Sequence, residues 1–320
     1  MNSRTRNRQS GSLLIITLWI ITILSVLAVA IARHLSIEVR LTKYHLAREQ
    51  AKVLARSGVY LAMQRLTEDG TAYDWLGDEW ALPGEEIGTG DAHVRIVSTT
   101  DEERKLNLNA PLSPSFESAV TQLIHEHAIA KEIVDYLDPK KEGEDKPADT
   151  PPYFAKNGPV VSVEELRQLP GMESEPYELL RAQASPHLPQ GAVVNINTAQ
   201  REVLLALGLS DSTVGKIEEF RIGPDGPDAH ERDGKFTQAG TIVSTLAENG
   251  LSIDTGHQQQ YLQEQTILNS LGVSSQTFTV TSEGSTERPA VRVLVQAVIQ
   301  RKDCAESRPS CIVAWREGGF

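Results

Sequence analysis

The residues best suited to do chemistry in this sequence are acidic side chains gathered on one stretch. The stretch IVDYLDPKKEGEDKPADTPPYF sets carboxylates among prolines and a glycine: Asp135, Asp138, Glu142, Glu144, Asp145 and Asp149. Hard oxygen ligands on a loop are what Ca²⁺ requires, so calcium is the cofactor that the stretch points to. An ordinary solvated acidic loop has the same composition, and both interpretations stay open.

The remaining polar motifs do not favour catalysis. A second acidic loop, GPDGPDAHERDG, fits a solvated loop better than a metal site. Its acids are Asp225, Asp228, Glu231 and Asp233. His125-Glu126-His127 places its histidines on different helix faces and lacks the i, i+4 spacing of a zinc-binding H-E-x-x-H motif. Since no G-x-S-x-G is present either, the sequence predicts that the protein is not an enzyme.

Two cysteines, Cys304 and Cys311, lie close together near the C-terminus. In an exported chain such a pair predicts one disulfide, whereas in the cytosol it would invite a metal interpretation. No other cysteine is present to complete a zinc site. Because the pair brackets DCAESRPSC between two β-patterned segments, we expect a disulfide across the last hairpin.

The element that must place these groups is an uncharged stretch near the N-terminus. Residues 11–32, GSLLIITLWIITILSVLAVAIA, are enough as a helix to cross a bilayer core of roughly 30 Å. Arg4, Arg6 and Arg8 precede the stretch with no acidic residue. This asymmetry holds the N-terminus on the cytoplasmic side and sends the rest across, so we expect a single-pass membrane protein.

The helical pattern continues beyond the apolar stretch. Residues 33–66 hold no proline, are rich in Ala, Leu, Arg, Gln and Glu, and repeat apolar residues at helical spacing. A single helix over residues 12–66 would be roughly 80 Å long at 1.5 Å per residue. Its first half suits lipid, and its second half suits a groove on a folded domain.

Length and charge limit what the rest of the chain can be. At 320 residues there is room for two or three domains with a sizeable core. The formal net charge is −12 and becomes more negative if the arginine-bearing residues 1–11 are removed. So acidic a chain suits cationic partners or metal ions rather than nucleic acid, whose binding depends on Lys and Arg.

One β-patterned segment comes early in the chain and three come late. After a predicted loop over residues 67–91, residues 92–99 alternate like a strand. The residues expected on one face are Ala92, Val94, Ile96 and Ser98. QTFTVTSEGS, RPAVRVLVQAVIQRK and SCIVAWRE follow only near the C-terminus. This order predicts one sheet into which a large piece has been inserted.

The predicted fold class is therefore α+β. An antiparallel sheet formed from residues 67–105 and 273–320 is interrupted by an all-α insertion over residues 106–272. Helix signals in the insertion cover residues 115–138, 162–169, 176–184, 198–207 and 213–221. Ser162 and Glu165 form a capping box ahead of the second of these.

A short motif occurs twice in the insertion, as LNLNAPLSP at residues 106–114 and as VNINTAQRE at residues 194–202. In each, an Asn side chain at the end of an extended piece can cap the helix that follows. The second motif, with SVEELRQLPGM before it, resembles SAM-like or helix–hairpin–helix modules, some of which bind DNA. Acidic residues outnumber basic ones over residues 192–251, so we expect two packing modules and no nucleic-acid partner.

Three interpretations of the N-terminus compete. Ala28-Val29-Ala30 is similar to a signal-peptidase site, but the apolar run is long for a cleaved signal and a helix follows it. A plain signal anchor is the second interpretation. In the third, a short basic leader ending in Gly11 before an uncharged helix resembles the class III signal of type IV pilins and pseudopilins. That resemblance implies that a prepilin peptidase cuts between Gly11 and Ser12.

After such a cut the fifth residue is Ile16, where most members of the pilin family have Glu. In a filament core that carboxylate can neutralise the buried N-terminal amine of a neighbouring subunit, whose isolated charge is costly. A subunit with Ile at this position offers an amine but no carboxylate. The minor pseudopilin K of type II secretion shows the same departure, and its family is placed at the tip.

The order of these features resembles the general secretion pathway protein K family, the type II secretion minor pseudopilin K, over nearly the full chain. The leader without Glu, the interrupted sheet, the N-x-N motifs and the three closing strands carry the resemblance. It implies a pseudopilin core with a large α-domain, a tip complex with minor pseudopilins I and J, and a bacterial inner-membrane protein with its C-terminal domain in the periplasm.

Family members carry calcium in the α-domain, often at an acidic D-W-x-D-x-D run. Asp135 and Asp138 match that run, whereas Tyr136 replaces the Trp and Lys140 replaces the third Asp. The departures weaken the implied calcium site.

Two classes of function follow. The first is a non-enzymatic subunit that caps and initiates a secretion pseudopilus and supports export of folded proteins across the outer membrane. The second is a membrane-anchored binding module of another pilus-type machine, such as one for DNA uptake. The acidic insertion argues against the second.

Overall fold

The longest element is a single helix of 59 residues, α1 (Ser10–Glu68). The computed structural model describes residues 10–70, 72–139, 156–173, 175–223, 234–253, 258–301 and 310–318. No proline interrupts α1, and the prediction of one continuous helix over residues 12–66 is confirmed.

An antiparallel sheet of five strands lies against the second half of α1. The strands in the described residues are β1 (Ile87–Thr89), β2 (Ala92–Asp101), β3 (Leu106–Asn107), β4 (Ala184–Ser185), β5 (Thr277–Glu287), β6 (Ala290–Arg301) and β7 (Ser310–Glu317). The sheet order is β1-β2-β5-β6-β7, and every neighbouring pair is antiparallel. The early strand β2 therefore pairs with the late strand β5, which confirms the predicted interrupted sheet.

The insertion between β2 and β5 is helical. Its helices within the described ranges are α2 (Pro114–Ile124), α3 (His127–Leu137), α4 (Glu175–Gln183), α5 (Arg201–Ala206), α6 (Asp211–Ile222), α7 (Ile242–Glu248) and α8 (Gln258–Ser270), with a 3₁₀ helix over Val163–Gln168. The Ser162 hydroxyl caps the 3₁₀ helix by accepting the N–H of Glu164 at 3.2 Å. The fold class is α+β, as predicted.

Small residues let α1 approach the sheet closely. The buried stripe of α1 consists of Ala47, Ala51, Ala55, Val59, Ala62 and Leu66. Gly284 on β5 lies under this stripe, and a Cβ there would be 1.9 Å from the carbonyl oxygen of Ala51. Because no side chain fits in that space, Gly284 fixes how near the helix axis lies to the sheet.

Two parallel β-contacts close the insertion into two helical modules. In the first module, β3 pairs with β4, with Leu106 opposite Ala184. In the second, Asn195 pairs with Gly272 in an isolated bridge. Each module has its own cluster of buried apolar side chains, and α5 lies between them, since Val203 joins the first cluster and Leu204 joins the second.

The expected Asn caps were wrong. Helix α2 is capped by Ser113, whose hydroxyl accepts the N–H of Phe116 at 3.2 Å, and α5 has no side-chain cap. The second Asn of each motif instead bonds both backbone groups, the N–H and the C=O, of one distant residue. Asn109 bonds the N–H and C=O of Val160, and Asn197 bonds those of Phe236, each at 2.8–2.9 Å.

The prediction of one helix over residues 115–138 was also wrong. Helix α2 ends before His125, which adopts a left-handed conformation with φ of 60°, and a separate helix, α3, begins at His127. The break lets the apolar faces of α2 and α3 pack against each other in the first module. No glycine or proline marks it, so tertiary packing rather than local propensity sets the boundary.

The face predicted for β2 holds only in part. Val94 and Ile96 are buried as expected, but Ser98 is exposed. The register of β2 against β5 shifts between Ile96 and Ser98, and such a bulge turns the following side chains to the other face. The short edge strand β1 lies within the stretch that was predicted to be a loop.

Candidate functional site: the free half of α1 and the junction cluster

The first part of α1 makes no contact with the rest of the molecule. Every side chain over residues 13–46, the free half of α1, is exposed, although many are large and apolar. This helix contains an 18-residue window with mean hydropathy of 2.8, none of it buried, and it is the one candidate membrane span in the described residues. Within the free half, residues 13–32 hold no charged side chain, and an exposed helix of that composition suits lipid.

Polar side chains in the free half are satisfied within the helix itself. The hydroxyls of Thr17, Thr22 and Ser25 donate to the carbonyl oxygens of residues one turn earlier at 2.7–2.9 Å. Such bonds leave no hydroxyl needing water, which a lipid environment could not supply.

The residues predicted to govern processing and assembly lie at the start of this helix. Gly11 and Ser12 are within α1, and the leader residues 1–9 are outside the described residues. Ile16 lies on the free half of α1 with its side chain 53% exposed. Cleavage between Gly11 and Ser12 stays a prediction.

The acidic loops lie mostly outside the described residues. Asp135 is exposed on α3, and Asp138 is the residue that ends that helix. The other predicted calcium ligands, Glu142, Glu144 and Asp145, fall outside the described ranges, as do all four acids of the second loop. The calcium site therefore stays a prediction.

The predicted Cys304–Cys311 disulfide likewise stays a prediction. Cys311 lies on the edge strand β7 opposite Gln300, whereas Cys304 is outside the described residues. The histidine motif is divided by the break between helices, with His125 in the turn and His127 at the first position of α3.

The structure reveals a buried polar site that the sequence did not predict, where the insertion joins the sheet. We call it the junction cluster. It consists of Asp74, Asp101, Glu103, Asn195, Ser275 and Arg301, each at most 6% exposed. These residues come from the loop after α1, from the ends of β2 and β6, and from both ends of the second module.

Arg301 holds the loop after α1 against the end of the sheet. Its Nη2 donates to both carboxylate oxygens of Asp74, at 2.7 and 2.6 Å, and to the carbonyl oxygen of Ser275 at 2.7 Å. Its Nη1 approaches Asp69 at 3.3 Å. Burial outweighs the charge of Arg301 and raises the pKa of Asp74.

Asn195 connects three parts of the chain through one amide. Its Nδ2 donates to the carbonyl oxygen of Asp74 at 3.1 Å, to Asp101 at 3.2 Å and to the Ser275 hydroxyl at 2.8 Å. Asp101 also accepts from the hydroxyls of Thr198 and Ser275, at 2.5 and 2.7 Å. Burial raises the pKa of Asp101, which meets no cation at ion-pair distance among the described residues.

Glu103 connects the end of β2, which precedes the insertion, to the start of β5, which follows it. Its carboxyl group accepts the N–H of Gln276 at 3.0 Å and that of Thr277 at 3.0 Å. Burial, and then the neighbouring Asp101 carboxyl, raise the pKa of Glu103 to about 8. The carboxyl group is therefore mainly protonated at neutral pH.

Three acids near the cluster have the spacing of a metal site. Ligand oxygens of Asp69, Asp74 and Asp78 lie within 4.8 Å of one another, the one such group in the described residues. The guanidinium of Arg301 already neutralises Asp74 and Asp69, and Asp78 accepts from Trp75 N and Trp80 Nε1. These carboxylates are engaged in structural contacts, so the cluster braces the junction.

Comparisons with known proteins agree with this architecture. A family model described as type II secretion system protein K matches residues 113–185, which lie in the first helical module. The type II secretion system protein K of Klebsiella pneumoniae is 26% identical over 229 residues, covering 62% of this chain and 70% of that protein.

A solved structure matches the fold as a whole. It is a chain of the GspK–GspI–GspJ complex from the type 2 secretion system of enterotoxigenic Escherichia coli. The TM-score is 0.58 at 17% identity, with 90% of this chain and 100% of that chain covered.

A membrane-length helix docked on an antiparallel sheet, with a helical insertion between strands, is the architecture that this chain shares with the GspK–GspI–GspJ chain. The matches of the family model and of the curated relative make the likeness more specific. The chain is thus similar to type II secretion system protein K, in the first helical module by the family model and over 229 residues by the curated relative. That family consists of pseudopilins, which are structural components of the secretion system.

Proposed function

We propose that this chain is the minor pseudopilin that caps the tip of a type II secretion pseudopilus, initiating its assembly and supporting export of folded proteins across the outer membrane. The observation that carries the proposal is the free half of α1, which is exposed in the monomer, uncharged over residues 13–32 and without a carboxylate at Ile16. An apolar helix of this length has two suitable surroundings, lipid and the helices of neighbouring subunits.

The position at the tip follows from charge. In a row of subunits each buried N-terminal amine needs a carboxylate from a neighbour, and Ile16 supplies none. If another subunit were placed above this one, a buried N-terminal amine would find no carboxylate on this chain. Leaving that amine unpaired would cost several kcal/mol. The chain can therefore occupy one end of a row, and the bulk of the two helical modules suits an end better than a repeating position.

The partners proposed are minor pseudopilins of the I and J types. The solved relative with this fold was crystallised as a GspK–GspI–GspJ complex. The free half of α1 gives such partners a helix to pack against before the complex leaves the membrane.

The proposed location is the inner membrane, with the domain after α1 in the periplasm. The arginines before residue 11 hold the N-terminus in the cytoplasm, where a prepilin peptidase would cut between Gly11 and Ser12. Protein extracted from membranes should start at Ser12. The oxidising periplasm would also permit the Cys304–Cys311 disulfide, and two free thiols would contradict this location.

A calcium ion is proposed on the loop after α3, with Asp135, Asp138, Glu142, Glu144 and Asp145 as its ligands. Support comes from the carboxylate-rich loop sequence and from the resemblance to the protein K family. Calorimetric titration should show calcium binding by the native chain and loss of binding on Asp138→Asn. Equal binding by both would exclude this site.

Cross-linking tests the tip position. Single cysteines on exposed positions of α1, such as Leu24→Cys, are introduced into a chain whose native cysteines are replaced by serine. We expect disulfides with I- and J-type pseudopilins and no ladder of self-linked chains. Ile16→Glu should permit incorporation within a filament, whereas the neutral isostere Ile16→Gln should not. A self-linked ladder of the chain carrying native Ile16 would refute the tip position.

A further inference from the structure

A cleft beside the second helical module holds two arginines that meet no acid at ion-pair distance in the described part of the chain. We call it the arginine cleft and define it by Trp75, Leu76, Arg104, Ala199, Arg221 and Gly234, which line a volume of about 400 Å³. The walls come from the loop after α1, the turn between β2 and β3, and helix α6.

Arg104 contributes a guanidinium without a partner. No hydrogen bond or ion pair joins its side chain to a described residue, and its Nε is buried with no acceptor. Asp101 and Glu102 attract it electrostatically, but both are engaged elsewhere. Asp101 accepts from Thr198 and Ser275, and Glu102 pairs with Lys105 at 2.8 Å.

Arg221 brings a second cation to the same cleft. Its Nη1 donates to the carbonyl oxygen of Ala199 at 2.7 Å, and no ion pair joins it to a described acid. Burial, and then the charge of Arg104, lower the pKa of Arg221 to about 10. The two guanidinium groups therefore repel each other in a partly desolvated place, which is unfavourable unless an anion joins them.

Among the described residues, the other charges at the cleft do not supply that anion. Arg201 is already paired with Asp211 and Glu218, so Glu218 is occupied. Glu202 is exposed at the rim. Lys235 adds a further cation 4.4 Å above the ring of Trp75. In a chain whose net charge is −12, such a concentration of unpaired cations is an exception.

We propose that the arginine cleft binds a carboxylate presented by a protein partner, held between Arg104 and Arg221 against the apolar wall of Trp75 and Leu76. A planar carboxylate accepts two parallel hydrogen bonds from a guanidinium and carries one charge. A doubly charged phosphate would be repelled more strongly than a carboxylate by the exposed Glu202 at the same rim. The inference concerns this cleft alone and does not depend on the role of the chain in a pseudopilus.

Calorimetric titration of the full-length chain in detergent tests the site. The side-chain probe is acetyl-Gly-Asp-Gly-amide and the chain-end probe is acetyl-Gly-Leu with a free carboxylate. Their neutral controls are acetyl-Gly-Asn-Gly-amide and acetyl-Gly-Leu-amide. We expect dissociation constants on the order of 1 mM for at least one acid probe, and at least tenfold weaker binding by its amide. The acid probe that binds identifies the source of the carboxylate.

Two substitutions assign the binding to the cleft. Arg104→Gln should weaken the acid probe at least tenfold and leave the thermal unfolding temperature without probe unchanged or higher, because it removes repulsion from Arg221. Arg288→Gln removes the same charge from a side chain that is 79% exposed and far from the cleft, and it should change neither value.

Three results would overturn the proposal. The first is that the native chain binds the acid and amide probes equally, or binds neither. This result can be interpreted without any variant. The second is tighter binding of inorganic sulfate than of either acid probe. The third is a lower unfolding temperature of Arg104→Gln with binding unchanged, which would make Arg104 a structural residue only.

Discussion

The two helical modules are closed in the same way but are attached to the molecule differently. In both, the first Asn of an N-x-N motif lies on a parallel β-contact, and its side-chain oxygen accepts the N–H two residues later. The second Asn bonds the backbone N–H and C=O of one distant residue. Asn107 then donates to Pro189 within the insertion, whereas Asn195 donates into the junction cluster. One repeated motif thus closes both modules, and its surroundings decide whether it also binds the sheet.

The difference indicates where the insertion is held. The first module has its own core and meets the sheet through the exposed 3.0 Å ion pair of Glu164 with Arg316 and through Ser185, whose side chain bonds the buried Glu102. The second module shares buried hydrogen bonds and charges with the loop after α1 and with two strand ends. We infer that the junction cluster fixes the insertion on the five-stranded sheet.

The largest effect is expected on removing the cation of the junction cluster. Arg301→Met leaves Asp74 buried without its partner, which should lower the free energy of unfolding by about 3–5 kcal/mol. Arg316→Met breaks the exposed pair with Glu164 and should cost about 0–1 kcal/mol. Urea unfolding of the full-length chain in detergent measures both.

A double variant separates lost charge compensation from lost packing in that experiment. Asp74→Asn combined with Arg301→Met removes the buried anion together with the cation, so it should recover part of the loss. If Arg301→Met is no more destabilising than Arg316→Met, the junction cluster does not hold the insertion.

The equivalent Asn residues of the two modules provide a closer comparison. Asn195→Ala removes three donated bonds and the acceptor for Asn197, all in buried surroundings, and should cost about 2–4 kcal/mol. Asn107→Ala removes one donated bond and the acceptor for Asn109, and should cost about 1–2 kcal/mol.

Limited proteolysis of the two Asn variants provides an independent measurement. Asn195→Ala should expose sites on both sides of the junction, near residues 74 and 275, whereas Asn107→Ala should loosen only the first module. If the two variants lost the same free energy of unfolding and gave the same cleavage pattern, the two motifs would stabilise the molecule in the same way.

Local pattern predicted the elements whose residues repeat regularly along the chain. The apolar and amphipathic run gave α1, and alternation gave β2 and the three late strands, because those signals depend on neighbours in sequence. The break at His125 and the bulge after Ile96 were missed, since both satisfy packing against distant segments.

The junction cluster could not be predicted because its contacts are long-range. Asp74 and Ser275 are 201 residues apart in sequence, and Arg301 reaches Asp74 across 227. One signal was available: DEER directly follows an apolar strand, and Arg301 ends another, so charges stand where the strands stop. Such a pattern indicates buried polar contacts but does not tell which residues pair.

The smallest expected effect is a pH dependence that distinguishes the second module's attachment from that of the first. In the folded chain the pKa of Glu103 is raised to about 8 by burial and then by Asp101, whereas an unfolded Glu titrates near 4.5. Below about pH 4.5 both states hold the proton and its stabilising contribution is complete. As pH rises toward 8 only the unfolded state releases the proton, so this contribution is progressively lost.

Glu103→Gln, which stays neutral at every pH, should therefore make stability decline less steeply between pH 5 and 8 than in the native chain. The difference in slope should be at most about 1.4 kcal/mol per pH unit, measured by urea unfolding at fixed ionic strength. Glu178→Gln removes an exposed carboxyl group from the first module and should leave the slope as it is. Parallel pH profiles for the native chain and Glu103→Gln would mean that Glu103 is ionised in the fold. Its bonds to Gln276 and Thr277 would then have to outweigh its burial and the nearby charge of Asp101.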